Sequence, residues 1–131
     1  MSSGLNMLAQ LVITGVLFVA IVYAKRREFR LHGLVIAAAV VLNGLSILLV
    51  MVPSALRIFS GASLSGFTLA VGVHVVLGMV AQLAGLYIVW GWRLREPGGT
   101  CFRLGGRMRS LSRLWTLMVV LGGLVYYMLY F

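Results

Sequence analysis

The chain has 131 residues, of which 62% are hydrophobic and only 10% are charged, and its formal net charge is +9. A mean hydropathy of +1.08 is well above that of a soluble domain of this size, and the length predicts a single domain. In a soluble protein such a charge would suit nucleic-acid binding. Here the basic residues fall in gaps between apolar segments, which indicates membrane topology and argues against a nucleic-acid partner.

Four segments contain no acidic or basic side chain and are long enough to cross a bilayer. Because a helix rises about 1.5 Å per residue, roughly 18–25 apolar residues cross a hydrocarbon core of about 30 Å. Backbone groups in lipid must be paired within the protein, so continuous apolar segments are expected to be helices. The sequence therefore predicts an all-α, four-transmembrane-helix bundle with spans at about Leu5–Ala24, Leu31–Val52, Phe67–Trp90 and Leu114–Phe131.

The gaps on one side of the predicted bundle hold nearly all the positive charge. Residues 25–30 follow the first span, and no basic residue precedes that span, so an uncleaved first helix is expected. An excess of Lys and Arg marks cytoplasmic loops, so we predict that the loops 25–30 and 93–113 are cytoplasmic and that both termini lie outside a bacterial or archaeal cytoplasmic membrane. The loop 93–113 is also a candidate surface for anionic lipid or an acidic partner, through Arg103, Arg107, Arg109 and Arg113.

Proline and glycine residues predict the ends of two helices. Pro53 is expected to end the second span, because proline removes a backbone donor and clashes with the preceding turn. The segment Glu96–Gly99 breaks the chain after the third span. The residues from there to about Ser112 are expected to form an interfacial turn or a short helix.

Polar side chains are rare in the spans, and an unpaired one in hydrocarbon is costly, so each needs a partner or a function. At about 1.5 Å per residue, Asn43 lies roughly 18 Å from the cytoplasmic face and His74 roughly 10 Å from the outer face. Gln10 of the first span has a comparable outer depth. We therefore predict a polar intramembrane cluster of Gln10, Asn43 and His74, in which His74 hydrogen-bonds to Asn43 or Gln10 unless it binds a ligand.

Two histidines on different spans make haem a candidate cofactor. The depths of His32 and His74 differ by roughly 15–20 Å, so the two cannot bind one iron. A haem b on a single histidine stays open. His74 would present it to the small-residue face that includes Gly78 and Gly85, and His32 would place it beside arginines suited to the propionates. Otherwise both histidines are structural.

The usual catalytic groups are not found in the sequence. The only acids, Glu28 and Glu96, lie in the basic loops, so no carboxylate pair is available for acid–base catalysis. The sole cysteine, Cys101, cannot form an internal disulfide or a cysteine metal cluster. We expect a protein that is not an enzyme.

Short motifs distributed over most of the chain belong to a pattern found in one family. They are Leu5-Asn6 with Gly15, the cluster Lys25–Arg27 followed by His32, His74 ahead of the Arg-rich loop, and Leu114-Trp115 with Gly122 and Val125–Tyr130. This pattern resembles the YozB/CtaM-like family of small four-span membrane proteins. The resemblance implies a role in maturing or accompanying haem-copper respiratory oxidases, with histidines that handle haem or metal. The family's further histidine before the last span has no counterpart here.

Three functions follow, in order of preference. The first is a non-enzymatic accessory or assembly subunit of a respiratory membrane complex of the haem-copper oxidase type, which docks sideways in the bilayer onto that larger complex. The alternative is a haem b-binding electron-transfer protein, with His74 as the leading ligand and His32 as the other candidate. A small transporter or channel is third, because no charged group lies within the spans.

Overall fold

The part of the chain that the structure describes is helical and contains no strand. A computed structural model describes the backbone of residues 3–61, 63–92 and 99–131, and the side chains of 4–61, 63–92 and 106–131. A π-helical segment at Ile47–Met51 connects the second α-helix to the third. The α-helices are α1 (Ser3–Lys25), α2 (Phe29–Ser46), α3 (Val52–Ser60), α4 (Gly66–Trp92) and α5 (Gly99–Tyr130).

Four helical segments are long and apolar enough to cross a membrane, which confirms the predicted fold class. In the bundle α1 packs along α2 and α4 packs along α5, and contacts of α2 with α4 and of α1 with α5 close the arrangement. The orientation of the termini in the membrane stays a prediction. The four segments are Gly4–Lys25, Phe29–Ser60, Gly66–Trp92 and Gly106–Tyr130.

The second span continues past Pro53, so the prediction that it ends there is wrong. Pro53 lies in the first turn of α3, directly after the π-helical segment Ile47–Met51. Inside a continuous helix the missing N–H of Pro53 removes one hydrogen bond to the preceding turn, and that turn is π-helical, with the N–H of Val52 donating to the carbonyl of Ile47. The wider π-helical turn redistributes the backbone hydrogen bonds just before it. The result is one continuous helical span of 32 residues that ends at Ser60.

The last helix begins much earlier than the predicted span. The residues before Ser112, expected as a separate turn or short helix, belong to α5, which starts at Gly99. Arg and Met are good helix formers, so the backbone hydrogen bonds of the span extend through this basic stretch. Arg107, Arg109 and Arg113 are exposed on its early turns.

Small residues let the helices of the bundle approach closely. A Cβ atom added to Gly85 would lie 3.1 Å from Cγ2 of Val40, and one added to Gly33 would overlap the indole ring of Trp92. In a bilayer such close packing, rather than exclusion of water, drives helix association. A buried cluster at the centre consists of Ile13, Ala39, Val40 and Trp115.

The turn between α1 and α2 is a Schellman motif with an arginine at the position that favours glycine. The φ angle of Arg27 is 58°. The N–H of Arg27 donates to the carbonyl of Ala24 at 3.1 Å, and the N–H of Glu28 donates to the carbonyl of Tyr23 at 3.0 Å. These two bonds define the motif, in which glycine adopts the left-handed conformation without a steric penalty.

Arg27→Gly is expected to raise the free energy of unfolding by about 1 kcal/mol, because glycine relieves the left-handed strain. Denaturant unfolding in detergent micelles measures the change. Arg26→Gly is the matched control, since it removes the same charge from a neighbouring residue whose φ is not positive. It is expected to leave stability unchanged or to lower it. A loss of stability in Arg27→Gly itself would contradict this account of the turn.

Candidate functional site

A series of hydrogen bonds between side-chain amides crosses the bundle from α1 through α2 to α4. Nε2 of Gln10 donates to Oδ1 of Asn43 at 3.1 Å. Nδ2 of Asn43 donates in turn to Oε1 of Gln82 at 2.9 Å, and Nε2 of Gln82 donates to the backbone carbonyl of Val40 at 3.0 Å. We call Gln10, Asn43 and Gln82 the amide ladder.

Hydroxyl and amide groups extend the ladder along α1. Oγ of Ser46 donates to Oδ1 of Asn6 at 2.6 Å and lies 3.4 Å from Nε2 of Gln10. Oγ1 of Thr14 donates to the carbonyl of Gln10 at 2.8 Å. These amide and hydroxyl groups are therefore paired within the protein, as the absence of water in the bilayer core requires.

The amide ladder is suited to fixing helix register rather than to chemistry. Its groups neither titrate nor hold a charge near neutral pH. Interhelical hydrogen bonds in membranes contribute about 0.6 kcal/mol on average and up to about 1.7 kcal/mol each. Gly44 leaves room for the side-chain amide of Gln82, because a Cβ atom at residue 44 would lie only 3.0 Å from Nε2 of Gln82. The ladder aligns α1, α2 and α4 at one depth.

The structure brings Gln10 and Asn43 together but leaves His74 outside their hydrogen bonds. Gln82, two helical turns further along α4, occupies the place predicted for His74. Nδ1 of His74 is buried and has no hydrogen-bond partner. Its ring packs on α5, where a Cβ on Gly122 would lie 3.1 Å from Cε1. His74 still lines a cavity of about 100 Å³ together with Gln10 and Asn43.

The second histidine is fixed by the backbone of the first helix. Nδ1 of buried His32 lies 2.7 Å from the carbonyl oxygen of Ala20. A carbonyl can only accept, so Nδ1 holds the proton and donates it, and in the neutral ring Nε2 keeps its lone pair. Metal-binding histidines commonly donate their other ring N–H to a backbone carbonyl in this way.

A cavity of about 510 Å³ lies beside His32. Its walls are largely apolar and come from α1, α2, α4 and α5, and the basic residues Lys25 and Arg109 lie among them. Met108 of α5 lines the same cavity. The cavity thus combines a histidine, a thioether, an apolar interior and positive charge.

Cavity size distinguishes the two histidines as haem candidates. The two cavities at His74 measure about 100 and 160 Å³, below the roughly 300–1,000 Å³ of pockets for organic ligands. The cavity at His32 falls within that range. A His–Met pair is an axial ligand set of haem proteins, and Lys25 and Arg109 would pair with propionates. The residues at His32 therefore fit a haem, whereas the small cavities at His74 do not.

The two histidines belong to separate sites. Gly33, next to His32, packs against Trp92. Trp92 follows His74 by 18 residues on α4, which corresponds to roughly 27 Å of helix. Within the described residues, no three His, Cys, Asp or Glu side chains come together in a group that could hold a metal ion.

The basic residues of both loops meet at the His32 end of the bundle. Lys25 and Arg109 line one cavity, and Arg107 and Arg113 are exposed nearby on α5. The side chain of Arg103 lies outside the described residues, as does the 93–98 segment. These side chains make this the cationic end of the bundle.

The fold and its apolar exterior define a four-span bundle suited to a lipid bilayer. No protein-family model, curated protein or solved structure matches the chain.

Asn43→Leu is expected to lower the free energy of unfolding by about 2 kcal/mol, because it leaves Oε1 of buried Gln82 without a donor and removes one of the two acceptors of Nε2 of Gln10. Unfolding in detergent micelles measures this change. Leu42→Ala, on the exposed face of α2, is the control and should change stability little. Adding Gln82→Leu to Asn43→Leu should cost far less than Gln82→Leu alone, since coupled residues are not additive. Full additivity would contradict the ladder.

Proposed function

We propose that the protein is a non-enzymatic accessory or assembly subunit of a respiratory membrane complex of the haem-copper oxidase type, and that it docks sideways in the bilayer. The respiratory assignment rests on the resemblance of its motifs to the YozB/CtaM-like family. The lateral mode of docking rests on the distribution of polar and apolar side chains in the bundle.

The amide ladder is the observation that most supports this proposal. Gln10, Asn43 and Gln82 satisfy one another inside the bundle, so they present no polar path along which a substrate or ion would move. No Asp, Glu, Lys or Arg side chain that would drive such movement lines the two cavities beside the ladder. The helix surfaces that face outward are what the protein offers to a partner.

The outward face of α4 is the best candidate for the docking surface. Four large apolar side chains lie on it at intervals of seven residues, and each is more than half exposed. That spacing keeps them aligned on a single stripe, the pattern along which two helices pack side by side. The stripe consists of Leu69, Val76, Leu83 and Trp90. Tyr87 is not part of the stripe but is also exposed on α4, and aromatic side chains are common anchors of interfaces.

The basic end of the bundle supports a cytoplasmic orientation for the two Arg-bearing segments. Arg107, Arg109 and Arg113 on α5 would hold this end at the anionic inner leaflet, and anionic lipid would be a partner there. Labelling of Cys101 by a thiol reagent that cannot cross the membrane would report this orientation.

Copurification in mild detergent tests the docking. The tagged protein is expected to bring down a larger haem-containing complex, and Val76→Ala with Leu83→Ala should reduce its recovery at least fivefold by removing half of the stripe. The matched control is Leu117→Ala with Val120→Ala, which shortens two exposed side chains of α5 and should leave recovery unchanged. Recovery of only a lone monomer or homodimer contradicts the subunit function. Equal recovery with both variants contradicts the α4 surface.

A haem b-binding protein is the second candidate, favoured by the arrangement at His32. The fixed Nδ1–H bond to Ala20 leaves Nε2 available as an iron ligand. The adjoining cavity of about 510 Å³ adds Met108 as a second donor. When bound, the haem would supply one-electron transfer, and Lys25 and Arg109 would hold its propionates.

An oxidised-minus-reduced absorption spectrum of the purified protein tests the haem candidate. Under this candidate the wild-type protein, expressed with haem available, shows Soret and α-band changes with about one haem per chain. His32→Gln should abolish them, because it removes the imidazole ligand. His74→Gln is the matched control and should retain them. A flat wild-type spectrum, or loss only in His74→Gln, would contradict haem binding at His32.

A further inference from the structure

A histidine with an unpaired ring nitrogen lines two small cavities that methionines also line. Nδ1 of His74 is buried and neither donates nor accepts a hydrogen bond. The two cavities, of about 100 and 160 Å³, share His74, Met51 and Met118 in their walls. Met79 lines the first and Met7 the second. Four of the seven methionines in the chain therefore line cavities that His74 also lines.

Glycines on α4 and α5 bring His74 and Met118 together. The ring of His74 lies on the bare backbone of Gly122, where a Cβ would be 3.1 Å from Cε1. Conversely, Cε of Met118 lies 3.7 Å from the position of a Cβ on Gly78. Gly78 follows His74 by one helical turn, and Gly122 follows Met118 by one turn, so both side chains occupy the same junction of the two helices.

Met51 reaches the same junction from the second span. It is the last residue of the π-helical segment Ile47–Met51, and π-helical turns occur often at functional sites. Pro53 follows Met51 by two residues. Met51 lines both cavities beside His74, so a third helical span contributes a thioether side chain to their walls.

The donors at this junction determine which ion would bind. Imidazole nitrogen and thioether sulfur are neutral, and thioethers select cuprous copper among the common metals. The spans contain no acidic side chain that would neutralise a divalent ion, and the cost of moving an ion into a low-dielectric interior is already large for a single charge. A soft monovalent cation fits both conditions. Coordination would also satisfy the otherwise unpaired Nδ1, whose burial is costly.

We propose that Nδ1 of His74 and the sulfur atoms of Met51 and Met118 form an intramembrane site for a cuprous ion. The site lies roughly 27 Å along α4 from the level of His32 and is separate from the haem candidate. It depends neither on the partner complex nor on haem. Binding involves no change of oxidation state, because the ion enters and stays as Cu(I).

Titration with Cu(I) against the chromophoric chelator bicinchoninate, under anaerobic reducing conditions, tests the site. All variants are made in a Cys101→Ser background, which removes the only thiol. One Cu(I) per chain is expected, and Met51→Leu and Met118→Leu should each weaken binding at least tenfold. Leu conserves the volume of Met, so both variants are expected to fold. X-ray absorption of the loaded protein should show sulfur and nitrogen neighbours.

Two controls separate the site from general copper uptake. Met128→Leu replaces an exposed methionine that lines neither cavity, and His32→Gln removes the other histidine. Both should bind Cu(I) as the parent does, whereas His74→Gln should weaken binding at least as much as the two cavity variants. Failure of the parent to retain Cu(I) against the chelator overturns the proposal. Unchanged affinity in Met51→Leu and Met118→Leu also overturns it and assigns the methionines to packing alone.

Discussion

The pairing of the amide side chains of the spans with one another is the constraint on which the bundle depends. Lipid offers no hydrogen-bond partners, so an amide on one span must find its complement on another. Asn43 does this in both directions, because it accepts from Gln10 and donates to Gln82. Three helices are thereby held at one depth. Glycines such as Gly44 then decide how closely the backbones approach.

The two histidines differ in their hydrogen bonding and in the cavities beside them. His32 donates Nδ1–H to the carbonyl of Ala20 and so has one defined tautomer, with Nε2 available beside a large cavity. His74 has a buried Nδ1 with no partner and lies beside small cavities lined by methionines. The first environment suits a large planar ligand with acidic groups, and the second suits a single soft ion. Residue type alone does not distinguish them.

The basic side chains are unevenly distributed over the bundle. Apart from Arg57, the basic side chains described by the structure belong to the first and third gaps, and Lys25 and Arg109 from those two gaps line one cavity at the end that holds His32. The stripe on α4, from Leu69 to Trp90, is apolar along its whole length. The bundle therefore combines internally paired amides, one cationic end and apolar sides suited to a lipid bilayer.

The sequence by itself determined the number of spans. The length of an apolar segment and its lack of charge decide whether it can cross a bilayer, and both are properties of that segment alone. It also indicated that Gln10 and Asn43 would meet. Only the tertiary structure decided that Gln82 rather than His74 completes the ladder. The helix continues past Pro53 to Ser60, so Asn43 lies about 25 Å from that end, whereas His74 lies about 12 Å from the start of α4. Side-chain pairing across helices depends on relative depth and rotation, and no single segment of the sequence contains that information.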